Sequence, residues 1–255
     1  MLWATVALAM GGFASGPTEV VTIGLLPEVA RGVGVSIPQA GHMISAYALG
    51  VVVGAPVIAI FGARLPRRGL LVGAVGFGGM FAMYSYIAPT VTDVTGLSRS
   101  AVPVFLLAFG LGAFAGTMLG GRLADWSVLR SLVLSSVAMG STLALFTFTA
   151  QDYLAGVLTI FVVSAVGGVL VVNLQLRLME VAGSAQTLGA ALNHASLNVA
   201  NALGAWLGGL VIAAGWGYTA PSWVGAGLSL AGLVVLAGSV LLHRRTAPVR
   251  VATSV

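Results

Sequence analysis

Apolar runs long enough to cross a bilayer follow one another along nearly the whole chain, and charge is confined to the short breaks between them. Cutting at the charged, Pro/Gly and turn-like clusters leaves eight runs, at about residues 2–27, 37–62, 70–92, 101–121, 129–150, 153–176, 185–213 and 219–242. A spanning helix needs about 20 mostly apolar residues. The chain is 58% hydrophobic and 7% charged, where a soluble domain carries about 25% charge. So few charges do not make a water-facing surface, so lipid must be the solvent for most of the outside. The predicted fold is all-α: a polytopic membrane protein with eight transmembrane helices. Leu2 opens the first run with no basic region before it, and too little apolar length precedes Ala7-Leu8-Ala9 for a cleaved signal. The first run therefore reads as a retained helix.

The net charge of +5 resides in sparse, scattered arginines, whereas a nucleic-acid surface gathers them on one face. Their distribution sets topology instead. Alternate breaks hold Arg64, Arg67 and Arg68, then Arg122 and Arg130, then Arg177, then Arg244, Arg245 and Arg250. The other breaks hold only Arg31 and Arg99. Cytoplasmic loops concentrate arginine, so both termini are expected inside; an even helix count, which puts them on one side, agrees. Trp3 and Trp126 then fall near the inner interface, and Trp216 and Trp223 near the outer one. Cysteine is absent, which excludes disulfides and thiolate chemistry. No metal-ligand spacing and no phosphate-binding Gly-x-x-x-x-Gly-Lys loop occurs, so no cofactor is expected. Ser15-Gly16 with His194 is too slight a pattern for an intramembrane serine protease.

Glycines recur at four-residue spacing in Gly50–Gly54, Gly112–Gly116–Gly120 and Gly204–Gly208. In lipid such stripes let backbones approach, and packing within one chain is the favoured reading over dimerisation. Pro56 and Pro89 are expected to bend their helices. Ser36 before Ile37-Pro38 reads as an N-cap with an early-turn proline. Ser98 and Ser100 are placed to do the same for the fourth helix.

Polar residues inside the runs are the candidates for function. Glu19 is the only acidic residue well inside a predicted span. A charged carboxylate there costs about 2.5–3.5 kcal/mol, and burial raises its pKa toward the range where protons come and go. His42, one turn into the second run, lies at a similar depth and is a candidate partner for Glu19 in proton coupling; the alternatives are a structural carboxylate bonded to neighbouring helices for Glu19 and an ordinary interfacial residue at the outer headgroup level for His42. In the seventh run His194, Asn198 and Asn201 lie on one helical stripe, with Asn193 adjacent. The stripe reads as cavity lining, with interhelical contact as the alternative. Tyr47, Tyr84 and Tyr86 are candidate cavity aromatics, but Tyr84 and Tyr86 cannot both face one direction. Asn173 and Gln175 mark the approach to the inner interface. Asp125 either caps the helix that follows it or is a solvated loop acid.

Two hairpins repeat. Pro27 and Gly34-Val35-Ser36 match Pro89 and Gly96-Leu97-Ser98 at an offset of 62, and Arg64-Leu65 matches Arg122-Leu123 at an offset of 58. Parallel duplication is a known plan for secondary transporters.

Several stretches together resemble the drug:proton antiporter branch of the major facilitator superfamily, close to its sugar-efflux and chloramphenicol-exporter relatives. They are Thr18-Glu19-Val20-Val21 through Gly24-Leu25-Leu26-Pro27-Glu28, then Ser45-Ala46-Tyr47-Ala48-Leu49-Gly50 and Tyr84-Ser85-Tyr86-Ile87-Ala88-Pro89. They continue with Gly121-Arg122-Leu123-Ala124-Asp125 and with Ala191-Leu192-Asn193-His194-Ala195 through Asn198 to Trp206. The resemblance implies proton-coupled efflux of a small molecule by alternating access, without enzymatic activity. It adds Thr18 to the substrate contacts and makes Gly121, Arg122 and Asp125 a cytoplasmic-loop gate, although Trp126 replaces the family's arginine. In the first copy, Ala63-Arg64-Leu65-Pro66-Arg67, arginine stands where the family has aspartate.

The family has twelve helices, and this chain resembles helices one, two and seven to twelve, joined near Gly69–Val75. It would thus be a shortened bundle: residues 1–68 a first hairpin, 69–245 a six-helix bundle and 246–255 a cytoplasmic tail. Expected partners are the lipid bilayer of a bacterial inner membrane, a small-molecule substrate and protons, and a second copy is one way to supply the missing wall. A non-transporting remnant, scaffold or subunit is the alternative.

Overall fold

The computed structural model describes residues 26–42, 45–46, 49–50, 67–183 and 186–246. They are helical with no strand among them: α1 (Leu26–Val33), α2 (residues 37–42, helical again at 45–46 and 49–50), α3 (Arg67–Tyr84), α4 (Val102–Thr149), α5 (Tyr153–Ala182), α6 (Gln186–Ala213) and α7 (Ala220–Thr246). Four described segments are long and apolar enough to cross a membrane: Arg99–Thr149, Tyr153–Ala182, Ser196–Ala213 and Ala220–Gly238.

The 48 residues of α4 would make a rod of about 72 Å at 1.5 Å per residue, more than twice a hydrocarbon core of about 30 Å. The rod is broken at Ser127, whose backbone is extended (φ −174°, ψ 112°). The Ser131 hydroxyl donates to the Leu123 carbonyl at 2.8 Å; eight residues along a straight helix would lie about 12 Å apart. The chain therefore doubles back, and α4 is two arms, 102–126 and 128–149.

Glycine decides how these arms pack. An added Cβ at Gly112 would meet the Phe161 carbonyl, one at Gly116 the Ala165 carbonyl, and one at Gly120 the Val169 backbone. Contacts that advance together along both helices make the first arm of α4 parallel to α5. The second arm is antiparallel to α5: the Thr149 hydroxyl donates to the Thr159 hydroxyl at 2.9 Å, and Met139 lies against Gly167. On the other side Gly204 packs on Gly78 and Gly208 on Ala82, so α3 and α6 run parallel. Gly225 meets Gly79 and Gly232 meets Gly76, so α3 and α7 are antiparallel. Lipid gives two apolar helices no hydrophobic reason to associate, so close backbone packing must do it. The stripes at Gly112–Gly120 and Gly204–Gly208 are thus spent inside the chain, as expected; the Gly50–Gly54 stripe extends beyond the described residues.

The connections define two ends. One carries Asp93, Ser98 and Asp152, the other Ser127 and Gly183. Exposed Trp216 and Trp223 lie at or near the Asp93 end, and exposed Trp126 at the Ser127 end. At the Asp93 end Gly34 and Gly96, the repeated glycines, both adopt left-handed backbone, φ +73° and +72°. Val35 N–H donates to the Ala30 carbonyl at 2.9 Å, closing α1 as a glycine C-cap. Ser36 caps α2 through a reciprocal arrangement with Gln39, whose side chain accepts the Ser36 N–H at 3.0 Å.

Three sequence expectations change here. The chain is helical at 26–33, where a loop was expected after residue 27, because a Glu28–Arg31 pair one turn apart and the Gly34 cap extend the helix. Ser98 and Ser100 bond each other at 2.6 Å and cap nothing. The run 70–92 is one helix only to Tyr84. Pro89 cannot donate to the carbonyl four residues back, and its ring crowds it. The helix breaks at Ser85–Tyr86 and resumes as a short turn Ile87–Pro89 and a π-helical turn Thr90–Val94. Pro56 lies outside the described residues.

Tyr86 fixes this broken segment. Its side chain is fully buried, packs over Gly41, Gly208 and Gly209, and donates to the Ala205 carbonyl at 2.7 Å. Tyr86→Phe is expected to lower stability by about 1 kcal/mol, the net value of one such bond. Thermal unfolding in detergent measures it.

Candidate functional site

The buried amides and tyrosines of the apolar bundle lie on α5, α6 and at the end of α3, whereas the buried polar groups of α4 and α7 are Ser and Thr hydroxyls. Asn173 is buried, and its amide donates to the Gly120 carbonyl at 3.2 Å and the Val169 carbonyl at 2.9 Å, tying α5 to α4. On α6, Asn193 is buried and donates to Gln175 of α5 at 3.5 Å. Its side-chain oxygen has no partner among the described residues, and neither have those of buried Asn201 and Asn173. Asn198 donates to the backbone carbonyl of His194 at 2.9 Å, and His194 is exposed. The stripe thus divides: His194 outward, Asn198 bonded to its own helix, Asn193 and Asn201 inward with unpaired acceptors. Leaving such an acceptor dry costs about 1–3 kcal/mol, so each position has capacity for one more donor.

The two tyrosines at the end of α3 face different neighbours, as their spacing requires. Tyr86 turns to α6, whereas the Tyr84 ring stacks on Phe109 of α4 with centroids 3.8 Å apart. The Tyr84 hydroxyl is buried without a partner among the described residues. His42 is exposed on α2 and lies beside Gly209 of α6. The same two helices are joined where Ser45 donates to the Ala202 carbonyl at 3.2 Å. Thr18, Glu19 and Tyr47 lie outside the described residues.

Gly121, Arg122 and Asp125 sit just before the α4 turn. Arg122 and Asp125 are exposed and form no ion pair among the described residues. The cap of the second arm comes from Ser127, whose hydroxyl accepts the Arg130 N–H at 3.4 Å, so Asp125 is the solvated acid of the two readings. Arg130 lies over the Trp126 ring at 5.4 Å.

The Asp93 end holds a feature that sequence reasoning missed. A cleft of about 550 Å³ opens between α1, the start of α2, the 87–93 segment and the start of α4. Among the described residues Glu28, Asp93 and Arg99 are its charged lining. Glu28 accepts from Arg99, 71 residues away, at 2.6 Å and from Arg31 at 2.9 Å. These arginines are the two that topology placed on the arginine-poor side, and both pair with one carboxylate, which leaves the trio with a surplus positive charge. That coincidence of two arginines and a glutamate in loops of one side was the available signal. The groups are substantially exposed, so the pairs stabilise by less than about 1 kcal/mol. Burial, and secondarily the charge of Asp93, push the Tyr218 phenol above its ordinary pKa, so it stays neutral.

Comparison with known proteins gives the family context. The model of the Major Facilitator Superfamily matches residues 70–254. The chain is 34% identical over 177 residues to YtbD of Bacillus subtilis, described as an uncharacterised MFS-type transporter; the match covers 68% of this chain and 44% of YtbD. It is 29% identical over 166 residues to a chloramphenicol resistance protein of Streptomyces lividans, covering 65% of this chain and 42% of that one. Against the inner membrane transport protein YdhP of Escherichia coli K12 it is 27% identical over 365 residues, covering 90% of this chain and 93% of YdhP. An alignment of that length exceeds the 255 residues of this chain, so part of YdhP has no counterpart here.

Proposed function

The chain belongs to the Major Facilitator Superfamily, and from that premise we propose that it is a secondary transporter of the bacterial plasma membrane. It exports a small amphipathic compound or sugar in exchange for protons. Both termini and the Ser127 turn are cytoplasmic, and the Asp93 end faces outward. Its eight helices are counterparts of the family's one, two and seven to twelve. Residues 1–68 form the first hairpin and 69–245 the six-helix bundle.

One observation supports this reading most. Asn193 and Asn201 bury amide carbonyls without partners in a bundle whose solvent is lipid. Polar groups at that depth tend to serve a pathway, and a substrate hydroxyl or amine would complete them. The Tyr84 hydroxyl, at the end of α3, offers another unpartnered polar group. Glu19, with His42 as its candidate partner, carries the proton, while Thr18 and Tyr47 complete the substrate contacts from the first hairpin. Gly121, Arg122 and Asp125 form the inner gate.

A second reading has its own support. The length difference from YdhP means that this chain lacks a large part of what a full-length relative has, and a remnant would insert without enclosing a cavity. Two associated copies would restore a wall. Vesicles containing the purified chain, with an imposed pH gradient and a panel of antibiotics and sugars, separate the readings. Substrate movement that collapses with a protonophore supports transport. No movement for any substrate supports the remnant.

A further inference from the structure

Arg122 belongs to the inner gate, but Trp126 and Arg130 beside it have no part in that reading. Arg122 and Trp126 are one turn apart on one face of the first arm of α4. Arg130 opens the second arm and lies over the Trp126 ring at 5.4 Å. All three are exposed. Neither arginine pairs with a carboxylate among the described residues. Asp125 is exposed between them, so the turn keeps a surplus positive charge. Arg177 does not add to it, because Glu180 holds it at 2.6 Å. The wider field has the same sign. Arg67 and Arg68 open α3 and Arg244 and Arg245 close α7 at this end, with no further acid among the described residues there. At the Asp93 end Arg31 and Arg99 face three acids, Glu28, Asp93 and Asp152. A guanidinium stacked on an indole keeps its N–H edge for a phosphate, which arginine binds through two parallel hydrogen bonds. Exposed Met118 and Leu119 lie one turn from Arg122 along the first arm. Exposed Leu134 and Val137 lie one and two turns from Arg130 along the second.

We propose that the Ser127 turn binds one anionic phospholipid, with Arg122 and Arg130 on its phosphate and Trp126 between them at headgroup level. The apolar tracks below the two arginines take its acyl chains, so a phospholipid fits where a free phosphate would meet only half of the site. The phosphate of a zwitterionic lipid carries its own cation and gains less from the surplus charge. That this leaflet is the cytoplasmic one, where anionic lipid gathers, rests on the proposed topology. The binding itself does not rest on it and would persist in a chain that transports nothing.

The test titrates the purified full chain in detergent with dioleoyl phosphatidylglycerol and counts bound lipid by native mass spectrometry. One tightly held lipid per chain is expected, preferred over dioleoyl phosphatidylcholine by at least about fivefold, the scale of one uncompensated basic residue. Arg122→Gln and Arg130→Gln should each weaken binding by about fivefold. Trp126→Leu should weaken it by about threefold, the scale of an exposed cation–π contact. Arg245→Gln removes the same charge from the same end outside the turn and should bind like the parent chain. Glycerophosphate, which has the phosphate without the acyl chains, should not displace the lipid. Equal binding of the two lipids, unchanged binding in Arg130→Gln, an equal loss in Arg245→Gln, or displacement by glycerophosphate would overturn the proposal.

Discussion

Gly116→Leu is expected to destroy the α4–α5 pair and with it most of the folded protein. The backbones are closest there, and a new Cβ would press on the Ala165 carbonyl, which belongs to a helix and cannot turn aside. Overpacking a core side chain costs about 1–3 kcal/mol, and a backbone clash belongs at about 3 kcal/mol or above. Gly110, on the same helix with open space around it, is the control. Gly110→Leu should stay within about 0.5 kcal/mol of the parent chain. The monodisperse fraction after detergent extraction, followed by thermal unfolding, reads both. Equal behaviour of the two variants would mean that α4 and α5 do not pack through this stripe.

Glu19→Gln is expected to abolish pH-driven transport while leaving insertion and yield unchanged. Glutamine keeps the shape and hydrogen-bonding capacity of the carboxyl but cannot exchange a proton. Among the six acidic residues only Glu19 falls deep in an apolar run, where the free energy of charging sets a large penalty on the ionised form. Gradient-driven flux should drop to that of protein-free vesicles. Flux equal to that of the parent chain would remove Glu19 from the mechanism.

Much of the helix inventory was legible because membrane helices need only apolar length, and six described runs give helices near their expected positions. Some errors lie where charge was taken as the end of a helix; the break of the 70–92 run at Ser85–Tyr86 and the missing Ser98 and Ser100 caps have other causes. The α5 helix continues from 176 to Ala182 because Arg177 and Glu180 pair one turn apart at 2.6 Å, and it stops at Gly183, whose φ is +57°. A helix can outrun the bilayer, and residue type alone does not say by how much. The break at Ser127 was expected only as a loop; its tightness depends on the Ser131–Leu123 bond, a tertiary fact. The polar stripe of α6 was found from its spacing, but the partners of each residue were not. Asn198 satisfies its own helix, and Asn193 reaches across to Gln175, which only the packing of α5 on α6 determines. The cleft was least legible. Its walls come from segments as far apart as Pro27 and Leu106, each unremarkable by itself.

Cysteine scanning tests the arrangement most directly, because the chain contains no cysteine of its own. Ser98→Cys marks the Asp93 end and Gln186→Cys the end near Ser127; both positions are exposed. A membrane-impermeant maleimide added to intact cells should label Ser98→Cys at once and Gln186→Cys only after permeabilisation. Labelling of Gln186→Cys in intact cells, with Ser98→Cys protected, would invert the bundle and contradict the account.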